Sequence, residues 1–398
     1  MTPTLDRSFL DLESAELTAL LTAIAAGSSE RERDRVAPFD QVELVREARL
    51  GALRLAPEEG GAGATVRELY RVVLALAAAD ANVAHILRSH FAHVEQLLRL
   101  RGEGRGRLAE VADGAIIAGA ATELGPGAVG TVAAGATLRR QGDGYVLDGR
   151  KYYSTGSLYA DLLMITATDE AGALALVLIP TAREGVVIED DWDGIGQRLT
   201  ASGTTRLENV AVAPEELIDP VAIGRGSPRF GMAQLYLTAV VAGIVRGVVD
   251  DAVELIRSRE GRPFAHATSS PSADPLLQQV VGELASEAFV AEAAILAAAD
   301  ELDAEAAAVV DGEVDPAVAE RSSLAAAKAK VVVDGIAFRA ATRLFDLGGA
   351  SATKIAANLD RHWRNARTIA SHNPAPHKAR AIGDHELNRA PLPSNWFF

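Results

Sequence analysis

Between Asp113 and Pro220 the chain changes texture, and that change limits the folds open to it. On either side, apolar residues recur three and four apart, as one face of a helix requires. Within the interval they fall in short β-branched and aromatic runs broken by Gly, Asp and Asn. QGDGYVLDGRKYYSTG holds two Asp-Gly pairs, Asp143-Gly144 and Asp148-Gly149, which read as turns flanking the alternating run YVL. LLMITAT, ALALVLIP and TTRLENVAVAP read as further strands. The fold class is therefore α+β over several domains. We expect an N-terminal helical domain (1–112), a central antiparallel β-sandwich or barrel (113–222) and a C-terminal four-helix bundle with a tail (223–398).

The flanks carry the helices. ESAELTALLTAIAAG and ATVRELYRVVLALAAADANVAHILRSHFAHVEQLLRL have apolar stripes, joined across the glycine-rich turn EEGGAGAT. Beyond Ser227 three long helical stretches follow, with joints at Ser269–Pro275 and Gly312–Pro316. The fourth lies in NLDRHWRNARTIASHNPAPHKAR, where Leu359, Trp363, Ala366 and Ala370 line one face and Asp360 can pair with Arg364. Pro374 and Pro376 are expected to end it near Asn373 and to forbid a restart. His372 then sits in the last turn, where the helix dipole favours a cationic or proton-donating imidazole. No Asp or Glu occurs between Arg361 and Gly383.

Composition excludes several partners. The chain has no cysteine, so disulfides and thiolate catalysis are ruled out. Its net charge of -15 argues against a duplex nucleic-acid partner. No apolar run reads as a bilayer span and no secretory leader is evident, so a cytoplasmic location is expected. His85, His90 and His93 share one stretch, but no acid completes a His-Glu-x-x-His set, and no metal is expected.

Four strings, in order, resemble the acyl-CoA dehydrogenase superfamily, and the resemblance covers nearly the whole chain. They are ATELGPGAVGT, DGYVLDGRKYYSTGSLYADLLMITA, GIGQRLTASGTTRLENVAVAPEELI and FDLGG. The resemblance implies an α-β-α subunit that holds flavin between its β domain and C-terminal bundle, usually as a homotetramer. In most dehydrogenases of the family a Glu after the last bundle helix removes the substrate proton. The matching position here is Asn373, and an amide cannot serve as that base. In the minority that place the Glu on the first long bundle helix, the matching residue is Tyr236, with Asp250 and Asp251 the nearest acids.

LDRHWRNART followed by His-Asn-Pro, together with QRLTASGTT, is instead similar to the flavin-dependent monooxygenase branch typified by dibenzothiophene monooxygenase. That branch takes reduced flavin from a separate reductase, adds O2 to give a flavin hydroperoxide, and oxygenates a small, mostly apolar substrate. Such chemistry needs a dry cavity, hydrogen bonds to the oxygen, and a proton donor rather than a carboxylate base. The serine of the family's Gly-Ser-Asp string is missing at Val129-Gly130-Thr131, and Phe345 replaces a Gln that holds the adenine half of FAD. FMN is favoured and FAD stays open. The rival readings are an acyl-CoA dehydrogenase or oxidase with a displaced base, and a flavin-binding relative without chemistry.

The resemblance also assigns site residues. His372 is the catalytic candidate as donor to the peroxide, Ser154 the hydroxyl facing the flavin's redox nitrogen, and His90 a substrate or peroxide contact. Thr122 and Glu123 contact the pyrimidine side of the ring, with Thr155 beside Ser154 and Asn373 beside His372. Arg259 or Arg262 is expected to reach the phosphate of a neighbouring subunit's flavin, with Arg367 as a further candidate. Gly348 and Gly349 would let the backbone approach the cofactor.

Overall fold

The computed structural model describes residues 4–100, 105–124, 135–220, 231–260, 270–310, 313–393 and 398. Its first part is helical: α1 (Ala15–Ala25), α2 (Ser28–Asp34), α3 (Phe39–Glu47), α4 (Val66–Ala79), α5 (Ala81–Ile86), α6 (Arg88–Leu98) and α7 (Leu108–Ala112). Thr65 and Glu68 close the start of α4 reciprocally: the Glu68 N–H donates to Thr65 Oγ1 (3.0 Å) and the Thr65 N–H to Glu68 Oε2 (2.8 Å). The stripe read as continuous from residue 64 to 100 is in fact three helices. Asp80 breaks it, because its carboxylate accepts from the Asn82 N–H (2.9 Å) and the Val83 N–H (3.3 Å) while pairing with Arg31 (2.9 Å).

Among the described residues eight strands form one sheet: β1 (Ile117–Ala120), β2 (Thr137–Gln141), β3 (Gly144–Lys151), β4 (Leu162–Asp169), β5 (Leu174–Pro180), β6 (Val186–Ile188), β7 (Thr205–Val212) and β8 (Leu217–Ile218). Their order is β6-β7-β3-β2-β4-β5-β8, with β1 beside β4. Most pairings are antiparallel, but β1 and β2 both run parallel to β4, the latter over two residue pairs only. The turn at Gln141–Gly144 closes the β2–β3 hairpin. Asp148-Gly149 is not a turn. It lies within β3 at a bulge, where Gly149 (φ 154°) crosses Ala136 so closely that a Cβ would sit 2.5 Å from its Cα.

The last part comprises α8 (Gly231–Ser258), α9 (Pro275–Ala307), α10 (Pro316–Arg343), α11 (Arg361–Ala370) and α12 (Ala375–Asn388). Asp274 and Asp315 cap α9 and α10, each followed by a proline at the first helical position, where the missing N–H costs nothing. The same logic overturns the expected stop after Asn373: Pro374 caps α12 and Pro376 sits in its first turn, so the helix restarts at once. Trp363 is 40 % exposed, because the buried face of α11 runs instead through His362, Asn365, Ala366 and Ile369. Helix α8 is long and apolar enough to cross a membrane by length and composition, contrary to the sequence reading. Here it is the core of the protein, enclosed by α4, α9, α10 and α11.

One hydrophobic core joins the three parts, from Leu17 and Tyr70 through Ile165 and Val177 to Tyr236 and Ala366. Glu32 on α2 fastens the N-terminal part to α11. Its carboxylate is buried and takes hydrogen bonds from Arg364 (2.5 and 3.1 Å) and Asn358 (2.9 Å). Arg364 also holds Asp360 (2.8 Å), the pair expected from their spacing.

Candidate active site

The end of β3 leads into a turn of hydroxyl residues. Tyr153 adopts φ 58°, a costly conformation for an aromatic residue, and so redirects the chain at Ser154. The Ser154 N–H donates to Gly203 O (3.2 Å) and the Gly156 N–H to Thr200 O (2.8 Å), docking the turn on the loop before β7. Gly156 (φ 86°) abuts α5: a Cβ there would lie 2.8 Å from Ile86 O. Thr155, Ser202 and Thr200 form a hydroxyl chain (2.8 and 2.7 Å) that ends on the Gln197 carbonyl (2.9 Å). Ser154 Oγ and Ser157 Oγ are buried with no hydrogen-bond partner. Leaving such a group unsatisfied costs about 1–3 kcal/mol, so each hydroxyl has a hydrogen bond to offer a polar atom that reaches it.

The bundle meets this turn at the corner between α11 and α12. His372 Nδ1 contacts Asn373 Oδ1, and the Asn373 amide donates to Gln234 Oε1 on α8. On α5, His85 Nδ1–H donates to Gln197 Oε1 (2.9 Å), while the Gln197 N–H donates to Asn365 Oδ1 on α11 (2.6 Å). Three parts of the chain therefore converge on His372, His85 and the 197–204 loop.

The electrostatics reverse one expectation. Burial, then the charge of Arg88, push His372 down to about 3, against the helix-end preference for a cation. The His372 side chain keeps exposed surface even so. His85 is lowered to about 4 by burial and then by Arg88. Both imidazoles are neutral at pH 7. Because the Asn373 carbonyl faces His372 Nδ1, hydrogen resides there and Nε2 is the acceptor.

The other candidate bases are engaged elsewhere. Tyr236 is buried with its hydroxyl on Ala84 O (2.9 Å). Asp251 is bound by Arg361 (2.7 Å) and His362 (2.8 Å), and the nearby Asp334 pairs with Lys330 (2.9 Å).

Of the other sequence candidates, His90 is engaged elsewhere. Its Nε2 donates to Gly51 O (3.0 Å) and its Nδ1 accepts from the Ile117 N–H (3.1 Å), so both nitrogens serve a joint between helices and sheet. Glu123 holds Lys151 (2.5 Å) and the N–H groups of Gly135 (2.5 Å) and Ala136 (3.0 Å), which leaves its side chain a structural clamp. Thr122 is exposed and accepts from the Tyr152 N–H through its carbonyl (2.8 Å). Arg259 reaches Leu347 O beside Gly348 and Gly349. A Cβ on Gly348 would meet Ala352, so its smallness serves that turn. This cluster stands at the far end of α8 from Gln234, about 36 Å away by the rise of a helix. Arg367 is exposed over the Phe338 ring (5.1 Å). Arg262 and the Val129–Thr131 string lie outside the described residues.

Sequence reasoning missed Gln234, Gln197 and Arg88. Arg88 follows His85 by three residues, which was a readable signal for a shared face.

Comparison with known proteins agrees with this geometry. Residues 118–210 match the acyl-CoA dehydrogenase middle domain and 235–375 its C-terminal domain. The chain is 30% identical over 402 residues to a dibenzothiophene monooxygenase of Rhodococcus erythropolis, covering 93% of this chain and 94% of that protein. It is 29% identical to a probable FMNH2-dependent monooxygenase, SfnC, of Pseudomonas putida, covering 92% of each. TdsC of Paenibacillus sp. A11-2, solved with FMN and indole, superposes with a TM-score of 0.88 at 28% identity, over 98% of this chain and 100% of TdsC.

Proposed function

The chain belongs to the acyl-CoA dehydrogenase family, in the branch of its flavin-dependent monooxygenases, and from that premise we propose that it transfers one atom of O2 to a small, mostly apolar substrate, using reduced FMN delivered by a separate reductase. The reading is supported above all by two features, the corner where Asn373, an amide, orients a neutral His372, and the unpartnered Ser154 hydroxyl in the turn after β3. Asn373 offers no carboxylate where most dehydrogenases of the family place their base, but the corner can hold polar oxygen.

The residues fit a flavin. Ser154 and Ser157 offer buried hydroxyls that lack partners, and Thr155 is braced behind them by Ser202. Reduced flavin, when bound, supplies the two electrons that activate O2; one oxygen goes to the substrate and the other leaves as water. Ser154 Oγ holds the ring's polar edge. His372 Nε2 accepts a hydrogen bond from the reacting oxygen and keeps its proton close for the departing hydroxide. Converging helices and sheet keep bulk water from the reacting atoms. Arg259, far along α8, serves the phosphate of a flavin in a neighbouring copy, as expected of a homotetramer.

The test is direct. Purified protein, FMN, NADH and a flavin reductase are incubated with indole in air, and products are followed by mass. A gain of one oxygen from labelled O2 supports the reading. Oxygen consumption that yields only hydrogen peroxide across a panel of aromatic and sulfur compounds would sink it.

A further inference from the structure

Arg88 begins α6, three residues after His85, and its side chain is largely buried. Its Nε is enclosed and has no hydrogen-bond partner. Among the described residues no carboxylate pairs with it and no hydrogen bond to it is formed, whereas nearly every other enclosed cation has a counter-charge: Arg31 has Asp80, Arg54 has Glu95, Lys151 has Glu123 and Lys330 has Asp334. Burial lowers Arg88 to about 10 with no opposing charge to restore it. A cation taken out of water without compensation is costly, and a folded chain keeps one where something else supplies the anion.

The surroundings point the same way. Beside burial, the charge of Arg88 depresses both His85 and His372, so the guanidinium lies near both rings. Gln197, which accepts from His85, has its own Nε2 buried without a partner. Together the two side chains offer surplus donors, a forked guanidinium and an amide N–H. A planar fork of donors matches the paired oxygens of a carboxylate or sulfur oxyanion.

We propose that Arg88 receives an anionic group of the substrate, a carboxylate or sulfur oxyanion, and so fixes which end of an otherwise apolar molecule faces His372. This deepens the monooxygenase reading and rests on it. The substrate class becomes small amphiphilic acids, with an apolar body at the reacting end.

Binding is the test, on FMN-loaded protein by calorimetry, with no turnover required. Benzoate is compared with benzamide, and benzenesulfinate with methyl phenyl sulfoxide. At least one anion is expected to bind about tenfold or more tighter than its neutral counterpart. R88Q should bring that pair within about twofold, and R88K should keep part of the gap. Ligand-free R88Q is expected to melt no lower than the parent, because it strands no partner. Equal binding of anions and neutral analogues, or a preference that survives in R88Q, overturns the proposal. So does an R88Q that fails to fold, or one that loses FMN while keeping the anion preference, since either gives the arginine another task. Oxygenation of indole without anion preference would remove this inference alone and leave the monooxygenase reading standing.

Discussion

The side-chain carbonyl of Asn373 accepts the hydrogen of His372 Nδ1, and this contact selects the ring nitrogen that can meet a reacting oxygen. Gln234 holds the other end of the amide, so the imidazole is oriented from α8. Loss of either partner is expected to leave FMN binding within about twofold while product per O2 falls about tenfold and peroxide rises. N373A and H372A should behave alike. Product yield unchanged in H372A would refute the assignment.

The same pair makes a statement about pH. His372 is held near 3 by burial and Arg88, so coupling in the parent should stay flat between about pH 6 and about 8. N373D places a carboxylate against Nδ1 and favours the imidazolium, so its coupling should acquire a titration in that interval. A bell or step in the parent enzyme that N373D leaves in place would show that another group governs the profile.

Ser154 gives a prediction with opposite signs. Its buried hydroxyl is unpartnered in the free chain, so S154A should melt at or above the parent without cofactor. If the hydroxyl serves the flavin, the same variant should bind reduced FMN about tenfold more weakly, read by anaerobic fluorescence titration. A loss of stability with unchanged FMN affinity would make Ser154 a packing residue.

Glu32 ties α2 to α11 and so holds the helix that leads into His372. Burial raises its pKa, but the hydrogen bonds from Arg364 and Asn358 outweigh that and bring it below the usual carboxylate value. A carboxyl depressed in the folded state adds stability above its unfolded pKa, near 4.3, and loses it as pH falls through the lower folded value. E32Q should cost about 2–3 kcal/mol at neutral pH, since Arg364 then keeps a single carboxylate partner, Asp360, and the gap should close in acid. Urea melts at a series of pH values would show it; a gap that persists in acid would count against the ion pair.

The sequence carried the architecture because periodicity and capping are local. The Asp-Pro starts of α9 and α10, the β2–β3 hairpin and the Asp360–Arg364 pair are each set by residues within a few positions of one another. The misreadings came where context decides. Asp148-Gly149 has turn chemistry but meets Ala136 across the sheet, and Pro376 breaks helix interiors yet fits a first turn. At the site, Ser154 and His372 could be placed by resemblance. The charge state of His372 could not, because it depends on burial in the fold and then on Arg88 from α6. Likewise nothing along the chain marks an arginine that lacks a partner.

Lys378 supplies a final test of the fold around the corner. Buried beneath the Phe398 ring (4.8 Å) and repelled by Lys330, its ammonium is lowered to about 7, with Asp334 opposing only in part. The unfolded chain returns it to near 10.4. Between those values the unfolded state binds more protons, so this residue makes stability rise with pH from about 7 to about 10. K378M removes the buried charge. It should exceed the parent in stability at about pH 6, and the two should converge as pH approaches about 10. Chemical denaturation at both ends decides it. A parent more stable than K378M at low pH would mean that the Phe398 and Asp334 contacts outweigh the cost of burial, and that Lys378 is held charged in the fold.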